Sequence, residues 1–222
     1  MKQIKHSLAL SIACAFVLAL PACSALHSGT SRADAEASST QSGRTLATPR
    51  ADGHTAEGGF VDGFVFAEKP GDVSLNPVLF SSGTVRATGL IEPRHGSTWG
   101  GIALTTSLLR GGRTVDASSA RALAISLAST GSGQLRVRLV GPNTTVRDSG
   151  CYPVAIVRVV PDLKEYTVPI ASFAPESFCA SNAPAGATTA AALTAVEVAD
   201  AVVTPGLRRQ VDFTVGVIRM IP

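Results

Sequence analysis

The stretch "RALAISLASTGSGQLRVRLVG", Arg121 to Gly141, decides the fold. Leu123, Ile125 and Leu127 alternate with smaller residues. A glycine- and serine-rich turn follows, and then Leu135, Val137 and Leu139 alternate with Arg136 and Arg138. A period of two places the large aliphatics of each segment on one face and their neighbours on the other. The pattern predicts two half-buried strands joined by a short connection, with Arg136 and Arg138 on the outer, solvated side.

The same alternation recurs on both sides of this pair. "KEYTVPIASF" aligns Tyr166, Val168 and Ile170, and Pro169 suits a strand end or an edge, where no ladder donor is needed. "RQVDFTVGVIRM" aligns Val211, Phe213, Val215 and Val217 against Asp212 and Thr214. Between such segments stand turn clusters, "KPGD", "RGGR", "GPNTT", "VPD" and "TPG". In "GATTAAALTAVEVADAVV", Gly186 to Val203, the reading is a loop followed by a strand from about Leu193. Short strands at this spacing predict an all-β domain, an antiparallel β-sandwich or jelly roll. With 45% hydrophobic and 16% charged residues, the chain has the composition of a packed core.

The N-terminus reads differently. Lys2 and Lys5 precede an apolar run from Leu8 to Leu20, too short for a membrane span and suited to an export signal. Leu20-Pro21-Ala22-Cys23 resembles a bacterial lipobox, which makes residues 1–22 a lipoprotein signal and Cys23 the lipidated first residue of the exported chain. Ser24 then favours the outer membrane. The alternative is ordinary cleavage after Ala25 and secretion. Residues 23–57, rich in Ser, Thr, Ala and Gly, read as a flexible tether, and residues 58–222 as the sandwich domain. Loss of Lys2 and Lys5 with the signal takes the formal net charge from +3 to +1. No block of basic residues survives to attract phosphates, which argues against a nucleic-acid partner.

Cysteine and histidine usage limits the chemistry. Cys14 lies in the signal and Cys23 at the lipidation site, so Cys151 and Cys179 remain, and an exported chain is expected to pair them as a disulfide. His6, His27 and His54 precede the domain, leaving His95 inside it. No nucleophile elbow, zinc-binding histidine pair or other catalytic motif accompanies it. The reading is a protein that is not an enzyme. Carboxylate-pair glycosidase chemistry is a lesser alternative, with Asp62, Glu92, Asp116, Asp148, Glu165, Glu197 and Asp212 all available. No cofactor is called for, although Asp62 and Asp212 are candidates for a structural Ca²⁺.

Taken in order, "GSTWGGIAL", "RTVDASSARALAISL", "GQLRVRLVG", "KEYTVPIASF" and "VDFTVGVIRM" resemble a galactose-binding-like β-sandwich. The type is that of carbohydrate-binding modules and of the domain related to complex I intermediate-associated protein 30. The resemblance covers roughly Phe60 to Met220 and implies binding of carbohydrate or cell-envelope glycan. Sugar binding uses an aromatic platform with polar neighbours. Trp99, equally suited to the core, and Tyr152, beside the expected disulfide, are the aromatic candidates. Arg94, His95, Arg136 and Arg138 are the polar ones. A structural or protein-interaction sandwich without sugar affinity is the rival reading.

Overall fold

The computed structural model describes residues 43–200 and 207–222. The signal 1–22, Cys23 and the first part of the expected tether lie outside these residues. Among the described residues no helix is long and apolar enough to cross a membrane.

Among the described residues, twelve strands form two antiparallel sheets. The larger contains β1 (Arg44–Ala47), β3 (Val73–Leu75), β4 (Leu79–Ser81), β5 (Thr84–Ile91), β7 (Ala122–Ser129), β10 (Lys164–Pro169) and β12 (Arg209–Ile221). Its order is β10-β7-β12-β5-β3, with β1 added to β12 and β4 to β5. The smaller contains β2 (Phe60–Ala67), β6 (Gly100–Ser107), β8 (Gln134–Val140), β9 (Val154–Arg158) and β11 (Ala195–Asp200), in the order β2-β6-β11-β8-β9. The short α-helices α1 (Thr144–Asp148) and α2 (Gly186–Ala190) lie in the connections.

Alternation fills the space between the sheets as the sequence predicts. Leu123, Ile125 and Leu127 of β7, with Val211, Phe213 and Val215 of β12, face Leu135, Val137 and Leu139 of β8 and Ile102 and Leu104 of β6, all essentially inaccessible to solvent. β10 is an edge strand, and Pro169 ends it where no ladder donor is required. Val168 is buried, while Ile170 reaches the core from a 3-10 turn just past the strand.

Three expectations are corrected. Val215 pairs with Leu127 and Ile218 with Ile125, so Gly216 and Val217 stand against Ser126 alone. This bulge shifts the parity of β12: Ile218 and Met220 are buried, and Val217 is not. Glycine fits the bulge because a Cβ at residue 216 would come within 2.8 Å of the Ser126 Cβ. The domain also begins earlier than Gly58. Arg44 pairs with Met220 and Ala47 with Ile218. The following hairpin closes through Thr48, whose backbone N–H and hydroxyl both donate to the Glu57 carboxylate, at 2.7 and 2.9 Å. A polar segment joins the fold here by borrowing the free edge of β12, burying only Leu46 and Ala47 of its own strand. Finally, α2 occupies part of the segment read as a loop before β11, although the strand itself forms.

Candidate functional site

The outer face of the five-stranded sheet carries the candidate site. On β2 the alternation "FVDGFVFA" sends Phe60, Asp62, Phe64 and Phe66 outward. Phe64 stands opposite Ala103 and Phe66 opposite Gly101; Ala103 stands opposite Ala199, and Ala199 opposite Arg136. Large aromatics on β2 and arginines on β8 thus flank a floor of glycine and alanine on the two middle strands. That arrangement makes a trough.

Chain folding from both ends closes the trough into a cleft of about 740 Å³. Trp99, just before β6, is 51% exposed and lines one side. Residues 147–150, at the end of α1, and Glu176 and Phe178 line the other. Gly150 takes the left-handed conformation that turns the chain back after α1, with φ of 73°. The next residue, Cys151, is disulfide-bonded to Cys179, with a Cα–Cα distance of 5.6 Å. The cross-link therefore joins the two segments that form one wall, immediately beside Gly150 and Phe178.

Arg136 and Arg138 are not solvated, which corrects the sequence reading. Their side chains are 14% and 13% exposed. Arg138 Nη1 lies 3.0 Å from Glu197, and Arg136 Nη1 lies 2.9 Å from Glu176 with its Nη2 3.7 Å from Glu197. The Arg136 guanidinium also sits 5.2 Å from the centre of the Phe66 ring, within cation–π range. Burial of Arg138 lowers its pKa, and the Glu197 charge opposes that shift. Glu176 and Glu197 are thus both committed to these guanidinium groups, and Asp148, the third carboxylate of the cleft, is exposed with Arg147 Nε 3.3 Å away.

Tyr152 is not a ligand platform. It is buried, its ring packs against Gly141, and its hydroxyl accepts a 2.7 Å hydrogen bond from the Asn143 N–H. The hydroxyl also donates to the Asn143 carbonyl at 3.2 Å, and the ring joins Val140, Ala195 and Val146 in a small cluster that seats α1. Sequence position next to a disulfide suggested exposure; the packing of α1 onto β8 removes it.

Arg94 and His95 lie in the loop that delivers Trp99 and do not line the cleft. Arg94 pairs with Glu92 at 2.6 Å. The His95 backbone N–H and ring Nδ1 bond to one oxygen of Asp72, at 2.9 and 2.7 Å, and the Ser97 N–H bonds to the other at 3.0 Å. Burial of Asp72 would raise its pKa, but the His95 and Ser97 hydrogen bonds outweigh it and hold the carboxyl well below the usual range. A carboxyl depressed in the folded state contributes its stability above the unfolded pKa of about 3.9, and loses it as pH falls toward the folded value. Trp99 is the chain's sole tryptophan. Its fluorescence is therefore expected to stay constant from about pH 8 to pH 5. In Asp72→Ala, hydrogen exchange at the His95 and Ser97 amides is expected to accelerate at neutral pH. Unchanged protection of those amides would show that the latch is unimportant.

The Ca²⁺ candidates do not converge. Asp62 lies on β2 with its carboxylate on the Gly63 N–H, whereas both oxygens of Asp212, on the other sheet, are bonded by Arg86 at 2.7 and 2.6 Å. Phe64, Phe66, Glu176 and Phe178 were not singled out by the sequence. The alternation on β2 was visible, but both of its faces are apolar, and only the packing of Val61 and Gly63 into the core shows which side is free.

The fold is that of carbohydrate-binding-module β-sandwiches. A family 11 carbohydrate-binding module from Clostridium thermocellum, in complex with a β-1,3-1,4-mixed-linked tetrasaccharide, superposes with a TM-score of 0.51 at 13% identity. The match covers 81% of this chain and 97% of that one. A family 30 carbohydrate-binding module matches with a TM-score of 0.46 at 14% identity over 82% and 90% of the two chains. No protein-family model matches the sequence, and no curated protein is similar to it at the sequence level.

Proposed function

We propose that the protein is a non-catalytic carbohydrate-binding domain, exported and held in the cell envelope through lipidated Cys23, that binds a glycan in the cleft of its five-stranded sheet. The observation that carries this reading is the cleft itself: Phe64, Phe66, Trp99 and Phe178 bound a space of about 740 Å³ together with the hydrogen-bonding side chains of Arg136, Arg138, Glu176 and Glu197. Aromatic rings suit the apolar faces of sugar rings, and the charged side chains suit their hydroxyls.

The charges in the cleft balance: Arg136, Arg138 and Arg147 against Asp148, Glu176 and Glu197. A neutral glycan fits that balance better than an anionic one. A glycosidase needs one carboxyl free to carry a proton and another free to attack or to activate water. Pairing of Glu176 and Glu197 with Arg136 and Arg138 leaves Asp148, beside Arg147, as the one exposed carboxylate of the cleft, and a single carboxylate supports binding over hydrolysis. The fold shared with the mixed-linkage-glucan complex makes such an oligosaccharide the first probe. Calorimetric titration with a soluble mixed-linkage β-glucan is expected to show binding that falls at least tenfold in Trp99→Ala and in Phe64→Ala, about 1.4 kcal/mol or more each. Full affinity in both variants would remove the cleft from the account. For the anchor, mass spectrometry of the exported N-terminus is expected to find acylated Cys23, and a chain starting at Leu26 would contradict it.

A further inference from the structure

The arginines of the described residues differ in pairing. Arg86, Arg94, Arg136, Arg138, Arg147, Arg208, Arg209 and Arg219 are each ion-paired with a carboxylate. Arg44, Arg50, Arg110, Arg113, Arg121 and Arg158 are exposed and form no ion pair. Four of these, Arg44, Arg110, Arg113 and Arg121, gather at one end of the sandwich. Arg110, Arg113 and Arg121 lie on the connection from β6 to β7, the Arg44 guanidinium donates to the Asp116 carbonyl of that connection at 3.4 Å, and the Arg121 N–H donates to the Ile221 carbonyl at 2.8 Å.

Few acids offset them. Asp116 is the one carboxylate on the connection; it accepts the Ser118 N–H at 2.8 Å and, among the four arginines, interacts with the charge of Arg44. Glu57, on the adjoining hairpin, is taken up by Thr48, and Arg50 and Asp52 at that hairpin's tip cancel each other. The unpaired arginines therefore give this end a net positive field.

Its position adds to the argument. β6 runs from Gly100, next to Trp99, to Ser107, where the basic connection begins, so the strand's length of roughly 25 Å separates it from the Trp99 loop. Arg44 also begins the first strand, and Cys23 precedes Gly43 by 20 residues in the sequence. We propose that the end formed by Arg44, Arg110, Arg113 and Arg121 is a docking surface for a membrane rich in anionic phospholipid headgroups. Docked this way, the domain turns its Trp99 end toward the glycan side. The lipid-facing orientation rests on the anchored reading of Cys23, whereas the charge attraction does not.

Each arginine close to an anionic bilayer contributes about 1 kcal/mol, or roughly fivefold in partition, and the attraction is screened over about 10 Å at 0.1 M salt. The test is flotation of the full-length protein with vesicles of phosphatidylcholine alone or with phosphatidylglycerol at about one third. Anionic vesicles are expected to capture more protein, the excess vanishing at about 0.5 M salt. Arg110→Ala/Arg113→Ala/Arg121→Ala is expected to weaken capture by roughly a hundredfold. Arg158→Ala, at an exposed arginine that ends β9 opposite Gln134, the residue where β8 begins, is expected to leave it unchanged. Equal capture by neutral and anionic vesicles, or an unaffected triple variant, would overturn the proposal. So would a triple-variant defect seen only with duplex DNA as the polyanion. Glycan titration of the triple variant reads the cleft separately: loss of vesicle capture with intact glycan binding confirms two independent surfaces, and loss of both indicates misfolding and is resolved with Arg44→Ala alone.

Discussion

Glu197→Ala is expected to destabilise the protein by about 3 kcal/mol, because it leaves two largely buried arginines without their shared carboxylate. Arg138 is held by Glu197 alone, at 3.0 Å, and Arg136 keeps only Glu176. The Nε atoms of both arginines are already buried without a hydrogen-bond partner in the protein, so neither group can regain through Nε what it loses. The cost belongs to the unpaired charge rather than to the pair. Glu197→Ala combined with Arg138→Met is therefore expected to recover most of the loss, since an apolar replacement of a buried ion pair is close to neutral. Urea unfolding measures both. A single-variant loss below about 1 kcal/mol would mean that the pair behaves as an exposed one.

Removal of the cross-link has an effect of similar size by another route. Cys151→Ser/Cys179→Ser opens a loop with a sequence separation of 28 residues, worth roughly 3 to 4 kcal/mol on the chain-entropy account. The consequence extends to ligand affinity, because Gly150 and Phe178 adjoin the two cysteines and both line the cleft. Without the cross-link that wall must be ordered on binding, and such ordering subtracts from affinity. A loss of about tenfold in glycan affinity is expected at temperatures where the variant remains folded. A variant that loses stability but binds glycan at full strength would confine the disulfide to stabilising the fold.

The strands were legible in the sequence wherever one face was apolar and the other was not. Leu123 to Leu127 and Leu135 to Leu139 pack inward as their alternation requires. Three features were hidden, each for a physical reason. The bulge at Gly216 inserts one residue in an otherwise regular alternation, and a run of valine and isoleucine does not show where parity changes. β1 lies in a segment too polar to pack by itself and is stabilised by an edge far away in sequence. The cleft was hidden most deeply, since Phe64 and Phe66 alternate with Val61, Gly63 and Val65, and either face could have been the core. Arg136 and Arg138 were placed on the correct face, but their burial depends on Glu176 and Glu197 from separate segments. Local sequence does not record that meeting.

The most direct test of the cleft as the binding surface is a map of amide chemical shifts during titration of the protein with a mixed-linkage β-glucan oligosaccharide. The account predicts shifts concentrated on the outer face of the five-stranded sheet and its rim, at Phe64, Phe66, Ala103, Arg136, Ala199 and Phe178 and at Trp99. The strands β5, β7 and β12 should remain silent. Shifts on the outer face of the seven-stranded sheet, or none at millimolar oligosaccharides of several linkages, would contradict it.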